Sequence, residues 1–216
     1  MRLLLIALAA LAGAWGAARA QTQPGFDYYV LALSWSPSFC ADDGMSEREP
    51  RQCGRDRRFS FVVHGLWPQD AEGGWPEHCP SRWREVPPAL RQSMLDVMPS
   101  PRLVDHQWRK HGQCSGLAPQ AYFDLTRRVR AGLKIPAAYV APERTLMVTG
   151  AEVERAFVAA NPGHTPQSVA VQCRDNRLRE VRLCVTKDGR PRACGPDVRD
   201  RCGPQRVAMP PVRAGR

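Results

Sequence analysis

The sequence predicts an α+β fold: a single domain with a largely antiparallel central sheet, flanked by helices and stapled by disulfides. Three observations predict it. Segments with strand-like alternation lie toward both ends of the chain, and helix-period segments lie between them. Setting aside a leader leaves about 196 residues, which fits one domain with a sizeable core. The eight cysteines are even in number and follow that leader, as a disulfide framework requires.

The elements follow in order. Arg2, the apolar run Leu3 to Leu11 and Ala18-Arg19-Ala20 match a secretory signal with an A-x-A cleavage site. Residues 1–20 are therefore expected to be a signal peptide and 21–216 the mature domain, secreted or periplasmic. The apolar run is too short to favour a bilayer span, and nothing later reaches transmembrane length, so the mature form is expected to have no membrane partner. A strand at 26–35 precedes a cysteine-containing loop. A second strand at 58–64, in which Phe59, Phe61 and Val63 alternate with Ser60, Val62 and His64, should end where the chain meets Gly65 and Pro68. A tryptophan-rich loop over 65–83 leads to helices near 87–97, 103–112 and 119–133, with Pro119 suited to a first turn. Thr149-Gly150-Ala151-Glu152 reads as a capping box opening a helix to Ala160, ended by Asn161-Pro162-Gly163. Strands at 168–173 and 178–186 flank the turn at Asp175-Asn176, Asp188-Gly189 makes a further hairpin, and a short strand is expected around Val207.

Two stretches concentrate the chemistry. Phe61-Val62-Val63-His64-Gly65-Leu66-Trp67-Pro68 and His106-Gln107-Trp108-Arg109-Lys110-His111-Gly112-Gln113-Cys114 hold three of the five histidines. At about 100° per residue from His106, Lys110 falls near 40°, Gln107 near 100° and His111 near 140°, so one helix face carries four polar groups. Trp108 and Arg109 fall on the other side, where Trp108 can pack. Cleaving an RNA phosphodiester without a metal needs one group to take the 2′-hydroxyl proton, another to protonate the leaving 5′-oxygen, and cations or donors for the developing phosphorane charge. His64, His111, Lys110 and His106 could supply these.

The two stretches resemble the active-site segments HGLWP and HEWxKHGxC of the ribonuclease T2 family of secreted endoribonucleases. Phe26-Asp27-Tyr28-Tyr29-Val30-Leu31-Ala32-Leu33-Ser34-Trp35-Ser36-Pro37 is similar to that family's first strand, and the closing four cysteines extend the likeness over nearly the whole mature chain. The resemblance implies His64 and His111 as the acid–base pair, His106 as a phosphate-binding group and Lys110 as a stabiliser of pentacoordinate phosphorus. A tryptophan after such a strand can either fill the core or stack on a base; the family places the equivalent of Trp67 at the upstream base, and Gln69 is a further candidate for hydrogen bonds to that base. It also implies the pairs Cys40–Cys53, Cys79–Cys114, Cys173–Cys202 and Cys184–Cys194. Sequence alone leaves that pairing open. Gln107 departs from the family pattern: it stands where a glutamate is usual, and its amide can donate to a phosphate oxygen but cannot exchange a proton. Leu103 also departs, where many relatives carry an aromatic residue near the downstream base.

The formal charge of +10 falls to about +8 without Arg2 and Arg19, still a surface suited to a polyanion such as RNA. Arginine-rich surfaces also serve plain solubility, so charge counts only beside the histidines. Zinc is the rival explanation of the Cys and His content. No C-x-x-C pair occurs and His106 and His111 are five apart, so no metal and no other cofactor is expected. Trp35, Trp75, Trp83 and Trp108 are expected to be structural, and His78 and His164 to be surface residues. The expectation is an exported, monomeric, metal-independent endoribonuclease that forms a 2′,3′-cyclic phosphate and then a 3′-phosphate. The alternative is a weakly active or inactive RNA-binding or effector protein on the same scaffold, which Gln107 keeps open.

Overall fold

The computed structural model describes residues 25–42 and 44–212. The expected signal peptide, residues 1–20, lies outside the described residues. The first strand, β1 (Tyr28–Trp35), is buried along nearly its whole length, as a strand covered on both faces must be. Its alternate residues part cleanly. Tyr29, Leu31, Leu33 and Trp35 join the main core, while Tyr28 and Val30 join a smaller cluster on the other face with Ala170, Cys184 and Val198.

After three short helices, α1 (Ser36–Cys40), α2 (Met45–Arg48) and α3 (Pro50–Cys53), comes β2 (Phe61–Gln69), antiparallel to β1. This strand runs on through Pro68 where the sequence predicted its end at residue 64. The physical reason is its position at the sheet edge, where a proline's missing N–H leaves no ladder bond broken. The helical middle holds α4 (Pro88–Ser93), shorter than the predicted 87–97 and followed by turns, then α5 (Pro101–Lys110) and α6 (Pro119–Ala131). Strand β3 (Leu146–Val148) precedes α7 (Gly150–Ala160), whose Thr149 and Glu152 form the predicted reciprocal capping box. The chain closes with β4 (Val169–Arg174), β5 (Arg177–Val185) and β6 (Val207–Met209).

The sheet runs β2-β1-β5-β6-β3, with β4 also on β5. All its pairings are antiparallel except the single contact of Arg177 with Ala208 that joins β5 to β6. The single α+β domain is as predicted. Val181, Leu183 and Val185 of β5 enter the main core, so Glu180, Arg182 and Cys184 take the opposite face, level with Ser34, Ala32 and Val30 of β1. The cysteines pair as the resemblance implied: Cys40–Cys53, Cys79–Cys114, Cys173–Cys202 and Cys184–Cys194. His164 departs from its expected surface place: it is buried, with Nδ1 2.9 Å from the Ser168 hydroxyl.

Candidate active site

The site begins with an irregularity in β2. Ala32 pairs with Gly65 and Leu33 with Val63, so His64 has no cross-strand partner and forms a β-bulge. The extra residue changes which side chains share a face. Phe61, Val63 and Leu66 all reach the main core, which puts His64 and Trp67 together on the opposite face although they are three apart. The Tyr122 hydroxyl on α6 holds the Leu66 carbonyl at 2.7 Å.

Ala32 and Ser34, the β1 residues between β2 and β5 on this face, are small, and larger side chains meet above them. His64 Nδ1 lies 2.7 Å from Glu180 Oε2, and Arg182 Nε donates to Glu180 Oε1 at 2.7 Å. Burial pushes the Glu180 carboxyl up, but the hydrogen bond and charge of His64, with Arg182 behind them, outweigh it and hold the group below its ordinary range. Arg182 also sits 5.1 Å over the Trp67 ring.

Helix α5 supplies the other half. Ser100 caps it, its hydroxyl accepting from the Leu103 N–H, and Pro101 opens the first turn. Trp108 is fully buried and donates to the Trp83 carbonyl at 3.2 Å, which fixes the rotation of the helix. His106, Gln107 and Lys110 thereby face the cavity. His111 is not in the helix body as predicted. It is the C-terminal cap, with φ −123° and ψ −44°, and its departure from helical geometry turns the ring toward Trp67 at a centroid distance of 5.4 Å. The Cys79–Cys114 disulfide and a 2.8 Å bond from the His78 N–H to the Lys110 carbonyl pin the loop after β2 to this helix end. In the chain-entropy picture a closed loop of 35 residues contributes roughly 4 kcal/mol.

Trp67 is the centre of the arrangement. Its ring is 5.2 Å from that of His64, nearly perpendicular, and its indole N–H donates to Gln107 Oε1 at 2.8 Å. Because an indole nitrogen only donates, the Gln107 oxygen must be the acceptor, leaving its amide N–H groups for other partners. Gln107 is only 2 % exposed, and the resemblance did not foretell its hold on Trp67. Gln69 is buried and donates to the Pro68 carbonyl at 2.8 Å while lining the same cavity.

Burial first, then the charge of Lys110, pushes the His111 imidazole down to about 3, so it is neutral at ordinary pH. Its Nδ1 is buried with no hydrogen-bond partner among the described residues. Burial, Lys110 and Arg109 likewise hold His106 below its ordinary value. Lys110 lies 3.3 Å from Glu77, whose carboxyl is held low by the Trp75 indole and by Lys110.

Two cavities meet at His64 and His106. One, of about 340 Å³, is lined by Trp67, Gln69, Lys110 and His111 and also by Trp75, Arg182 and Arg201. The other, of about 430 Å³, holds Leu103, Arg102 and Arg109. Trp75 was expected to be structural, yet it is half exposed at the cavity rim. Glu180, Arg182 and Arg201 went unnoticed in the sequence. The polar positions of β5, alternating with apolar ones that fill the core, were the available signal for the first two. Among the described residues no group of three or more His, Cys, Asp or Glu side chains could hold a metal ion, and no helix is long and apolar enough to cross a membrane.

Comparison with known proteins bears on the family and the fold. The model of the ribonuclease T2 family matches residues 26–194. A ribonuclease of Aeromonas hydrophila is 34% identical over 197 residues, spanning 88% of this chain and 86% of that protein. An intracellular ribonuclease LX of Solanum lycopersicum is 29% identical over 185 residues, spanning 76% and 75%. Among solved structures, an RNase-related protein from Calystegia sepium superimposes with a TM-score of 0.69 at 20% identity, over 87% of this chain and 98% of that one. RNase NT in complex with 5′-AMP superimposes with a TM-score of 0.60 at 23% identity, over 87% and 99%.

Proposed function

The chain belongs to the ribonuclease T2 family and is an endoribonuclease; from that premise we propose that it cleaves single-stranded RNA without a metal, using the 2′-hydroxyl as internal nucleophile. The observation that carries the mechanism is a pair of histidines, on different elements, set around one tryptophan in one cavity. His111, neutral through burial, accepts the 2′-hydroxyl proton. His64 gives a proton to the departing 5′-oxygen. The bond from the 2′-oxygen to phosphorus forms as the bond to the 5′-oxygen breaks, leaving a 2′,3′-cyclic phosphate. Water then opens that ring with the two histidines in reversed roles, giving a 3′-phosphate.

Lys110 and His106 line the same cavity, and in this mechanism they offset the charge of the pentacoordinate phosphorus. Trp67 stacks on the upstream base, worth about 1–3 kcal/mol, with Gln69 beside it. Gln107 acts as a donor toward the phosphate while its oxygen steadies Trp67. Arg182 and Arg201 add positive charge to the same cavity.

The proposal extends to export, with residues 1–20 as the removed leader and 21–216 as the mature domain, and to a monomer. Four disulfides suit an oxidising compartment, secreted or periplasmic.

The test is incubation of purified protein with RNA and with DNA, with and without chelator, and identification of the product ends. Undiminished cleavage of RNA in chelator, early cyclic phosphate and intact DNA are expected. Loss of activity on chelation, restored by zinc or magnesium, would refute the metal-free mechanism. RNA binding without cleavage would favour a binding protein on this scaffold.

A further inference from the structure

Glu180 has no place in the two motif segments, yet no carboxylate lies deeper in the site. It is buried, both of its oxygens are engaged, and its partners are the bulged His64 and the Arg182 that covers Trp67. Burying a charged pair costs desolvation that its mutual attraction often fails to repay, so such a pair beside a reacting group calls for a role other than stability. An ionised carboxylate can only accept hydrogen bonds. His64 must therefore carry its ring proton on Nδ1, and Nε2 is the nitrogen left for the cavity that the ring lines.

We propose that Glu180 is a positioning residue for the reaction: from β5 it fixes the tautomer and ring orientation of His64, and it supplies that histidine with the carboxylate that Gln107, on the other wall, does not provide. This rests on the nuclease mechanism above. Arg182 holds the second carboxylate oxygen and so keeps Glu180 from rotating away, while its guanidinium braces Trp67. When Nε2 gives up its proton to the leaving oxygen, His64 becomes neutral with Nδ1 still protonated toward Glu180. Glu180 itself exchanges no proton and touches no substrate.

The experiment uses the full mature chain with Glu180→Gln and Glu180→Ala. Gln is near-isosteric and its one oxygen can still accept from Nδ1–H, so it keeps the bond to His64 while losing the charge and the acceptor for Arg182; Ala loses all three. With one dinucleotide substrate, kcat should fall about 10-fold in Glu180→Gln and about 100-fold in Glu180→Ala, a share of the roughly 10²–10⁴-fold that proton transfer supplies, while KM stays within about twofold. Nitrogen-15 NMR of the imidazoles should find neutral His64 protonated on Nδ1 in the wild type and a mixture of tautomers in Glu180→Ala. Unchanged kcat in both variants, a rise confined to KM, or a wild-type His64 protonated on Nε2 would each overturn the positioning role. A wild type that leaves RNA uncut but shows the Nδ1–H signature would instead refute the nuclease mechanism, and with it the part Glu180 plays in the reaction.

Discussion

Replacing Gly65 by alanine should damage the site without touching a histidine. A Cβ at residue 65 would fall inside van der Waals contact of both Gln107 Oε1 and Trp67 Nε1, the two atoms that share a hydrogen bond, and 2.8 Å from Gln107 Cδ. Neither neighbour can yield freely: Gln107 is buried on a helix whose rotation Trp108 fixes, and Trp67 is braced by Arg182. Overpacking of this kind costs about 1–3 kcal/mol, and breaking the bond strands a buried acceptor for about 1–3 kcal/mol more. The smaller entropy of an unfolded chain with alanine offsets about 0.4–1 kcal/mol. A net loss of about 2–4 kcal/mol lowers Tm by about 5–15 °C in a domain of this size. Displacing Trp67 also removes base stacking worth about 1–3 kcal/mol, so kcat/KM should drop about 10- to 100-fold, mainly through KM. The assays are thermal unfolding by circular dichroism and dinucleotide kinetics. The double variant Gly65→Ala with Gln107→Ala should recover part of the stability, because the shortened side chain makes room for the methyl group. A Gly65→Ala protein within about 2 °C of wild-type Tm and with unchanged KM would refute the reasoning, on the scale of about 2–4 °C per kcal/mol.

His64→Ala and His111→Ala should each cost about 10²–10⁴-fold or more in turnover with the fold retained, and His106→Ala and Lys110→Ala should cost less; dinucleotide kinetics on well-folded variants check this. The depressed imidazole of His111 links stability to pH. Its ordinary value is 6.5 and its folded value about 3, so its contribution is fully present above 6.5 and is lost as pH falls toward 3, at up to about 1.4 kcal/mol per pH unit. His106 and His164 are shifted in the same direction, so urea unfolding between pH 7 and 4 should show declining stability, and the decline should be shallower in His111→Asn. Gln107→Glu should keep the acceptor for Trp67 but place a negative charge beside His111 and His106, raising both toward their ordinary values and moving the acid limb of the pH–rate profile to higher pH. Superimposable profiles would leave residue 107 as a binding group alone.

Much of the architecture was legible because it is local. The strand β1, the capping box of α7, and the polar face of α5 with Trp108 opposite each lie in a short window, where residue type, side-chain period and hydrogen bonding act within a few residues. The end of β2 was misplaced because Gly65 and Pro68 signal a break only if the strand is central, and edge position is a property of the sheet. His164 and Trp75 were misjudged for a related cause. Burial of His164 depends on Ser168 and its surroundings, and exposure of Trp75 on where its loop meets the cavity.

By itself the sequence determined which side chains can do the chemistry and which short segments are strand or helix, since these depend on residue type and spacing. The cysteine pairing it left open; the family resemblance implied that pairing and the folded chain shows it. Tertiary structure alone decided which groups face one another. His64 meets Glu180 across 116 positions because two strands pair on either side of β1 in one register. It shares a face with Trp67 because a single unpaired residue shifts the alternation of β2 by one. Register and bulge are set by the packing of the whole sheet, and no window of the chain contains both sides of that contact.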